Sequence, residues 1–277
     1  MDRSKLRSAP IGVFDSGVGG LSVLREIQHQ FPQENLVFLA DQIHVPYGSR
    51  PLAQVRRYSQ AITQFLLDRQ AKLIVVACNT ASAAALYNLR ETFPETPFVG
   101  MEPAVKPAAE GTQSGVVGVL ATPATFQGRL YASVLERFAS GVRVMQDTCP
   151  GLVSQIEKGE LESAKTRAIL ENALAPMLEC GIDRVVMGCT HYPFVIPLIR
   201  EIVGPQVKVI DPAPAVARQV GRVLADRGLE NRSSDTGKTR YLTSSNPVEL
   251  SRMITVLLGI QTDVGGVNWR DGTIVES

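Results

Sequence analysis

Leu73-Ile74-Val75-Val76-Ala77-Cys78-Asn79-Thr80 decides how this chain is read, because its pattern recurs at Val185-Val186-Met187-Gly188-Cys189-Thr190-His191. In each stretch a short apolar run ends in a small residue, then a cysteine, then two polar residues opening a helical stretch. An unbroken apolar run of this length is the pattern of a strand covered on both faces, as in a parallel sheet. A thiol just past the carboxyl end of such a strand stands in the crevice where α/β sheets bind ligands. Two such thiols point to one site doing the same chemistry from two sides.

Around the first stretch, strands and helices alternate. Residues 11–15 read as a strand, the Gly-rich turn Gly17-Val18-Gly19-Gly20 leads into a helix over 21–30, and 36–39 form a second strand. A helix is expected over 51–69, with Pro51 at a tolerated first-turn position. The third strand is 73–77, followed by a helix over 80–92. This βαβαβα order implies a parallel sheet with right-handed crossovers. The rhythm then restarts: a strand over 115–120 entering Ala121-Thr122-Pro123, a helix over 124–138, a strand over 142–145, helix over most of 160–180, and strands at 184–188 and 207–210. Gly12-Val13-Phe14-Asp15-Ser16 aligns with Gly118-Val119-Leu120-Ala121-Thr122, and Cys78-Asn79-Thr80 with Cys189-Thr190-His191. The expectation is therefore an α/β chain of two similar Rossmann-like or flavodoxin-like parallel-sheet domains facing each other across a cleft. The first takes residues 1–102 plus 213–277 and the second 103–212. The tail, read as a helix over 213–227, a polar loop at 231–237, a strand at 240–242 and a helix over 247–258, is too short for a third domain and is expected to complete the first sheet.

Bulk properties narrow the functional classes. A chain of 277 residues suits two ordinary domains. A formal charge of +1 supplies no general attraction to nucleic acid or to an anionic membrane. Residues 1–10 are polar and basic with no apolar segment behind them, unlike a secretory signal, and no apolar run approaches the roughly 20 residues of a membrane helix. The four cysteines include no CxxC pair, against a zinc site or a disulfide scaffold, and a reducing cytoplasm fits free thiols.

Cys180, on a helical apolar face, and Cys149, before Pro150, read as small buried hydrophobes. Cys78 and Cys189 differ because a helix start follows each, where a thiol is expected to be more acidic. A disulfide, a metal, a nucleophile or a proton-transfer pair could all use two opposed thiols. Only Cys189 has a histidine close by in sequence, and matched thiols best suit proton transfer at two faces of one carbon. Asp15 reads as an N-cap, as a base or as a ligand for an ammonium group. Ser16, with the backbone N–H groups of Gly17 to Gly20, could hold a carboxylate. The glycines lack GxGxxG spacing, which argues against a dinucleotide. Pro46-Tyr47-Gly48 reads as a turn or as a loop closing over a ligand. Thr80, Thr122 and Thr190 are hydroxyls at strand ends, His191 caps a helix or serves the site, and Glu157 lies on a short helical stretch.

Taken in order, Phe14-Asp15-Ser16-Gly17-Val18-Gly19-Gly20-Leu21, Pro46-Tyr47-Gly48, Ala77-Cys78-Asn79-Thr80-Ala81-Ser82, Leu120-Ala121-Thr122 and Gly188-Cys189-Thr190-His191-Tyr192-Pro193 resemble the glutamate racemases, over nearly the whole chain. That resemblance implies a cofactor-independent isomerase with no metal, supplying D-glutamate for bacterial peptidoglycan and hence for cell-wall biogenesis and cell shape, commonly as a homodimer. It implies Cys189 as the base for L-glutamate, assisted by Glu157 and His191, and Cys78 as the base for D-glutamate, assisted by Asp15. Asp15, Ser16, Pro46, Tyr47, Gly48, Asn79, Thr80, Thr122, Thr190 and His191 are the implied substrate contacts. Some relatives also bind DNA gyrase, which no feature of this sequence establishes. The alternatives are racemisation of aspartate or a related acidic amino acid, and a non-catalytic glutamate-binding regulator. One departure stands out: Asp41-Gln42-Ile43-His44-Val45 carries Gln42 and Ile43 where small residues usually precede Pro-Tyr-Gly.

Overall fold

A computed structural model describes residues 3–277; Met1 and Asp2, at the start of the polar lead-in, lie outside the described residues. The strands are β1 (Ile11–Asp15), β2 (Leu36–Ala40), β3 (Leu73–Val76), β4 (Phe98–Val99), β5 (Val116–Ala121), β6 (Arg143–Asp147), β7 (Arg184–Gly188), β8 (Lys208–Ile210), β9 (Thr239–Thr243), β10 (Val264–Arg270) and β11 (Thr273–Glu276). They form two sheets, ordered β11-β10-β9-β2-β1-β3-β4 and β6-β5-β7-β8. All pairings are parallel except the β10–β11 hairpin. The run β2-β1-β3-β4 and the run β6-β5-β7-β8 share one order, so the duplicated sequence rhythm is a duplicated topology. Two similar α/β domains face each other, as the repeat implies.

Register makes the repeat exact at the residues that matter. Phe14 lies opposite Val76, so Cys78 stands one residue beyond the level of Asp15. Ala121 lies opposite Gly188, so Cys189 stands one residue beyond the level of Ala121. In each sheet the chain crosses to one side of its first strand and then to the other, which opens a crevice at the carboxyl ends between them. Both cysteines sit beside that switch point. The strands that carry them, Leu73–Val76 and most of Arg184–Gly188, are buried, as their uninterrupted apolar character requires.

Two local expectations change and two are made sharper. Cys78 is the N-cap of the helix Asn79–Thr92, but Cys189 is followed by a turn and a 3₁₀ segment, Tyr192–Val195, before the helix Ile196–Val203 begins. Pro193 and Pro197 follow close behind Cys189 and lack the N–H groups that an α-helix starting there would use. The helix expected over 124–138 is two, Pro123–Phe126 and Arg129–Phe138, interrupted at Gly128, where a Cβ would come within 2.6 Å of Ala83. The long helix of the second domain starts at Ala164, where the Ser163 side chain caps it. The tail does return to the first sheet through β9 beside β2, and it continues into β10 and β11, which sequence reading left unassigned.

A buried ion pair ties the tail to the body. Lys72 Nζ lies 2.5 Å from Glu34 Oε2, both side chains essentially inaccessible, and Lys72 also donates to the Arg7 carbonyl. Glu34 Oε1 accepts the Asn231 backbone N–H at 2.8 Å. Removing one partner strands a buried charge, which costs roughly 3–5 kcal/mol, whereas replacing both by apolar groups is far milder. Glu34→Leu is therefore expected to lower unfolding stability by about 3 kcal/mol or more, and Glu34→Leu with Lys72→Met to recover most of it. Denaturant unfolding checks this; a single variant within about 1 kcal/mol of the parent contradicts a buried pair.

Candidate active site

Cys78 and Cys189 line one small cavity together with Ser16, Pro46, Tyr47, Gly48, Asn79, Thr80, Thr122, Val153, Thr190 and His191. Every substrate-contact residue read from the sequence borders this space except Asp15, which lies one layer behind it. Val153 is the wall that sequence reading missed, an apolar residue with no motif around it. The cavity measures about 20 Å³, room for roughly one water molecule. The two domains are closed on one another.

Asp15 is fully buried. Its Oδ2 accepts the Gly20 backbone N–H at 2.6 Å and the Thr190 hydroxyl at 3.3 Å, and its Oδ1 accepts from Ser16 Oγ at 3.3 Å. It is therefore not a helix N-cap side chain but a buried acceptor. Burial raises its pKa, partly opposed by the charge of His191 and by hydrogen bonds from Cys78 and from the Ser16 and Gly20 backbone N–H groups. The glycine turn is needed to bring these groups so close. A Cβ on Gly19 would meet His191 Nδ1 at 2.5 Å and Asp15 Oδ2 at 2.8 Å, and one on Gly20 would meet Asp15 Cβ at 2.6 Å.

Cys78 Sγ accepts the Ala81 N–H at 3.4 Å, the helix-start contact that the sequence implies, and lies 3.9 Å from Ser16 Oγ. The expected acid shift does not result. Burial pushes the thiol well above its ordinary value, and the negative charge of Asp15 pushes it further; the Ala81 N–H only offsets part of this. Burial and Asp15 both favour the protonated thiol at Cys78.

Cys189 has a different neighbour. His191 Nδ1 lies 3.7 Å from Cys189 Sγ, and His191 Nε2 lies 2.6 Å from Glu157 Oε1. Burial alone lowers the histidine, but the contacts with Cys189 and Glu157 overcome it and raise its pKa well above the ordinary value. Glu157 shows the complement: burial raises it, while His191, the Val18 N–H and the Gln42 amide together bring it below its ordinary value. Glu157 Oε1 accepts from Val18 N at 2.8 Å and Glu157 Oε2 from Gln42 Nε2 at 3.2 Å. The Glu157 carboxylate, the His191 imidazole and the Cys189 sulfur thus form one chain of contacts. The helix that presents Glu157 is Leu152–Glu157, preceded by Gly151 at φ 89°, a left-handed turn that glycine adopts without strain.

Several contacts cross from one domain to the other: Val18 to Glu157, Gln42 to Glu157, Thr190 to Asp15, Ser22 Oγ to the Thr190 carbonyl at 3.0 Å, and Thr80 Oγ1 to Thr122 Oγ1 at 2.8 Å. Tyr47 is held from behind by its hydroxyl on Asp41 Oδ2 at 2.6 Å. Asp41 also receives Ser244 Oγ at 2.8 Å and Trp269 Nε1 at 2.7 Å, so the tail positions the Pro46-Tyr47-Gly48 loop. Neither Ser244 nor Trp269 carries a local sequence signal for this role.

Asn79 is the polar exception. Its side-chain oxygen and nitrogen are both buried, and neither has a hydrogen-bond partner. Buried amides are nearly always paired, so an unpaired one on the cavity wall marks a position for a polar ligand. Cys149 is buried and its thiol is pushed up by burial and by Asp147, while Cys180 is half-buried; both read as packing residues. Among the described residues no group of three or more His, Cys, Asp or Glu side chains is arranged to hold a metal ion, and no helix is long and apolar enough to cross a membrane.

Comparison with known proteins agrees with this arrangement. Residues 11–220 match the family model described as Asp/Glu/Hydantoin racemase. A glutamate racemase of Pseudomonas paraeruginosa is 52% identical over 258 residues, covering 93% of this chain and 97% of that protein. The crystal structure of a Bacillus anthracis glutamate racemase isoform superposes with a TM-score of 0.86 at 30% identity, covering 96% of this chain and 99% of that one. A Francisella tularensis glutamate racemase in complex with D-glutamate superposes with a TM-score of 0.81 at 28% identity, covering 93% and 97% of the two chains. With paired domains, paired cysteines and similarity along almost its whole length, the chain belongs to the Asp/Glu/hydantoin racemase family, among its glutamate racemases.

Proposed function

We propose that this protein interconverts L- and D-glutamate by a two-base proton transfer that uses no cofactor. Two buried thiols at matched strand ends on one cavity, with an unpaired amide beside them, carry this reading. In the L-to-D direction Cys189, which must be thiolate to act as the base and has His191 beside it, takes the α-proton of L-glutamate. The C–H electron pair passes to the α-carbon and into the substrate carboxylate. The Cys78 thiol gives its proton to the opposite face, leaving Cys78 as thiolate and Cys189 as thiol. Turnover of D-glutamate runs the same steps in reverse.

The developing charge on the carboxylate needs hydrogen-bond donors already in place in a dry site. Asn79, Thr80, Thr122, Thr190 and Ser16 offer amide and hydroxyl donors around the cavity, and Pro46, Tyr47 and Gly48 close it. Thr190 borders the cavity, with the Asp15 carboxylate behind its hydroxyl at 3.3 Å, on a side where an α-ammonium would gain from a nearby acceptor. No lysine lines the cavity, so a Schiff-base route has no amine there. A glutamate has ten heavy atoms and does not fit a cavity of 20 Å³, so the bonds that cross the cleft must part to admit it. Aspartate racemisation is the competing activity. We assign the domains as 1–102 with 213–277 and 103–212, the protein to the cytoplasm as a homodimer, and its product to peptidoglycan synthesis, as the family resemblance implies.

The optical activity of L-glutamate is expected to decay to zero with purified protein, with slower turnover of aspartate. Cys78→Ala and Cys189→Ala are each expected to lower kcat by far more than tenfold with unfolding temperature preserved. A loss below about tenfold equals under about 1.4 kcal/mol of barrier and is too small for an essential base.

The Glu157–His191 pair also sets a pH window for stability. The Glu157 pKa is depressed on folding, so its contribution is full above the ordinary 4.5 and is lost as pH falls through the folded value. The His191 pKa is raised, so its contribution is full below the ordinary 6.5 and is lost as pH rises through the folded value. The difference in unfolding temperature between wild type and Glu157→Gln is therefore expected to peak between those two values and to shrink on both sides. A difference that is flat with pH speaks against a charged pair.

A further inference from the structure

We infer that Gln42 is a positioning residue for the Cys189 half of the reaction, acting through Glu157 and His191. This rests on the two-base reading above. Gln42 stands where small residues usually precede Pro-Tyr-Gly, so the departure in the loop has a structural consequence. Its amide bridges two domains. Gln42 Nε2 donates to Glu157 Oε2 at 3.2 Å, and Gln42 Oε1 accepts from Thr243 Oγ1 at 2.8 Å. Thr243 ends β9, a strand buried against β2, and its hydroxyl also accepts the Ser245 N–H at 3.1 Å. A continuous chain of hydrogen bonds therefore runs from the tail of the first domain through Thr243 and Gln42 to Glu157, His191 and Cys189.

The two Glu157 oxygens are used differently. Oε1 takes both the Val18 N–H and the His191 ring, so it fixes the distance to the imidazole. Oε2 takes Gln42 alone, so the amide fixes the rotation of the carboxylate about its own bond. Without the amide, the carboxylate keeps a partner at Oε1 but loses the second point that sets its plane. The His191 ring then loses orientation toward Cys189 Sγ, and a small misplacement of a proton-transfer pair is costly. A short residue at position 42 cannot span to Glu157. In this chain the bridge also forms only when the domains meet, so closure and alignment of the Cys189 side are one event. On the Cys78 side, Ser16, Asp15 and Ala81 belong to the same domain as the thiol, and the cross-domain contact is the longer Thr190 hydroxyl to Asp15 Oδ2 at 3.3 Å.

The test must respect a thermodynamic limit. L- and D-glutamate are mirror images of equal free energy, so kcat/KM must fall equally from both sides in any variant. The two half-reactions are separated by isotope effects. α-Deuterated L-glutamate reports proton removal by Cys189, and α-deuterated D-glutamate reports removal by Cys78. Gln42→Leu is expected to lower kcat/KM about tenfold, the usual size for a lost hydrogen bond to a charged group. The isotope effect from L-glutamate should rise and that from D-glutamate should fall, because the Cys189 transfer becomes the higher barrier. Thr243→Val, which frees the far end of the amide, should shift both isotope effects the same way by less. Cys189→Ser serves as the reference for a weakened Cys189 side. If Cys189→Ser shows this pattern and Gln42→Leu keeps wild-type isotope effects, the role of Gln42 is overturned and the two-base reading stands. If Cys189→Ser itself fails to produce the pattern, the assignment of Cys189 to L-glutamate is wrong, and the role of Gln42 falls with it.

Discussion

The centre of this molecule depends on one constraint: two thiols must be kept dry in the same small space and yet take different parts. Burial alone favours two neutral thiols. The asymmetry comes from what stands behind each sulfur. Asp15, an anion, stands behind Cys78 and discourages a second negative charge. His191, held by Glu157 at 2.6 Å and with its pKa raised by Cys189 and Glu157 against burial, stands behind Cys189. The same fold is used twice, and the chemistry is set by residues that the repeat does not share: Asp15 aligns with Ala121, and His191 aligns with Thr80.

That difference explains why the domains must close before anything can react. Glu157 belongs to the second sheet's side of the molecule, but two of its donors, Val18 and Gln42, belong to the first. Asp15 belongs to the first, and Thr190 reaches it from the second. Each thiol therefore depends on a group that the opposite domain holds in place. Opening the cleft to admit substrate undoes these contacts, and closing it restores them around the substrate. Glycines at 17, 19 and 48 are the local means of this fit, since a Cβ at each would strike Glu157, His191 or Thr122. A lid of this kind excludes water when the α-proton is in transit and ties proton transfer to a bound ligand.

Much of this was legible in the sequence because it follows from local pattern. Strands β1, β2, β3, β5 and β7 are short apolar runs with clear turn residues behind them, and the duplicated cysteines fixed the pairing of the two halves. The helix Pro247–Leu258 was legible from Pro at its first turn and Gly259 after its end. Other features depend on contacts remote in sequence. The β10–β11 hairpin is mostly half-exposed and carries two adjacent glycines, so neither alternation nor an apolar run marks it. A helix was expected directly after Cys189 because the match with Cys78 suggested one, but Pro193 and Pro197 override the analogy. The expectation of an acidic Cys78 came from helix-start chemistry and was reversed by burial and by Asp15, which sequence spacing cannot weigh. Gln42 was visible only as an oddity in its loop; its partners Thr243 and Glu157 lie more than a hundred residues away.

The central claim is that two separate sulfurs handle the two faces of one carbon, and isotope labelling in deuterated water tests it most directly. Starting from L-glutamate, chirally separated product collected at low conversion should carry deuterium at the α-carbon, because Cys78 delivers a proton exchanged with solvent. The L-glutamate that remains should carry little, because Cys189 returns the proton it removed. D-glutamate as the starting material should give the mirror result. Early product that retains the original proton would mean that one group serves both faces, and the matched cysteines would then be a trace of the repeated fold with no part in the chemistry.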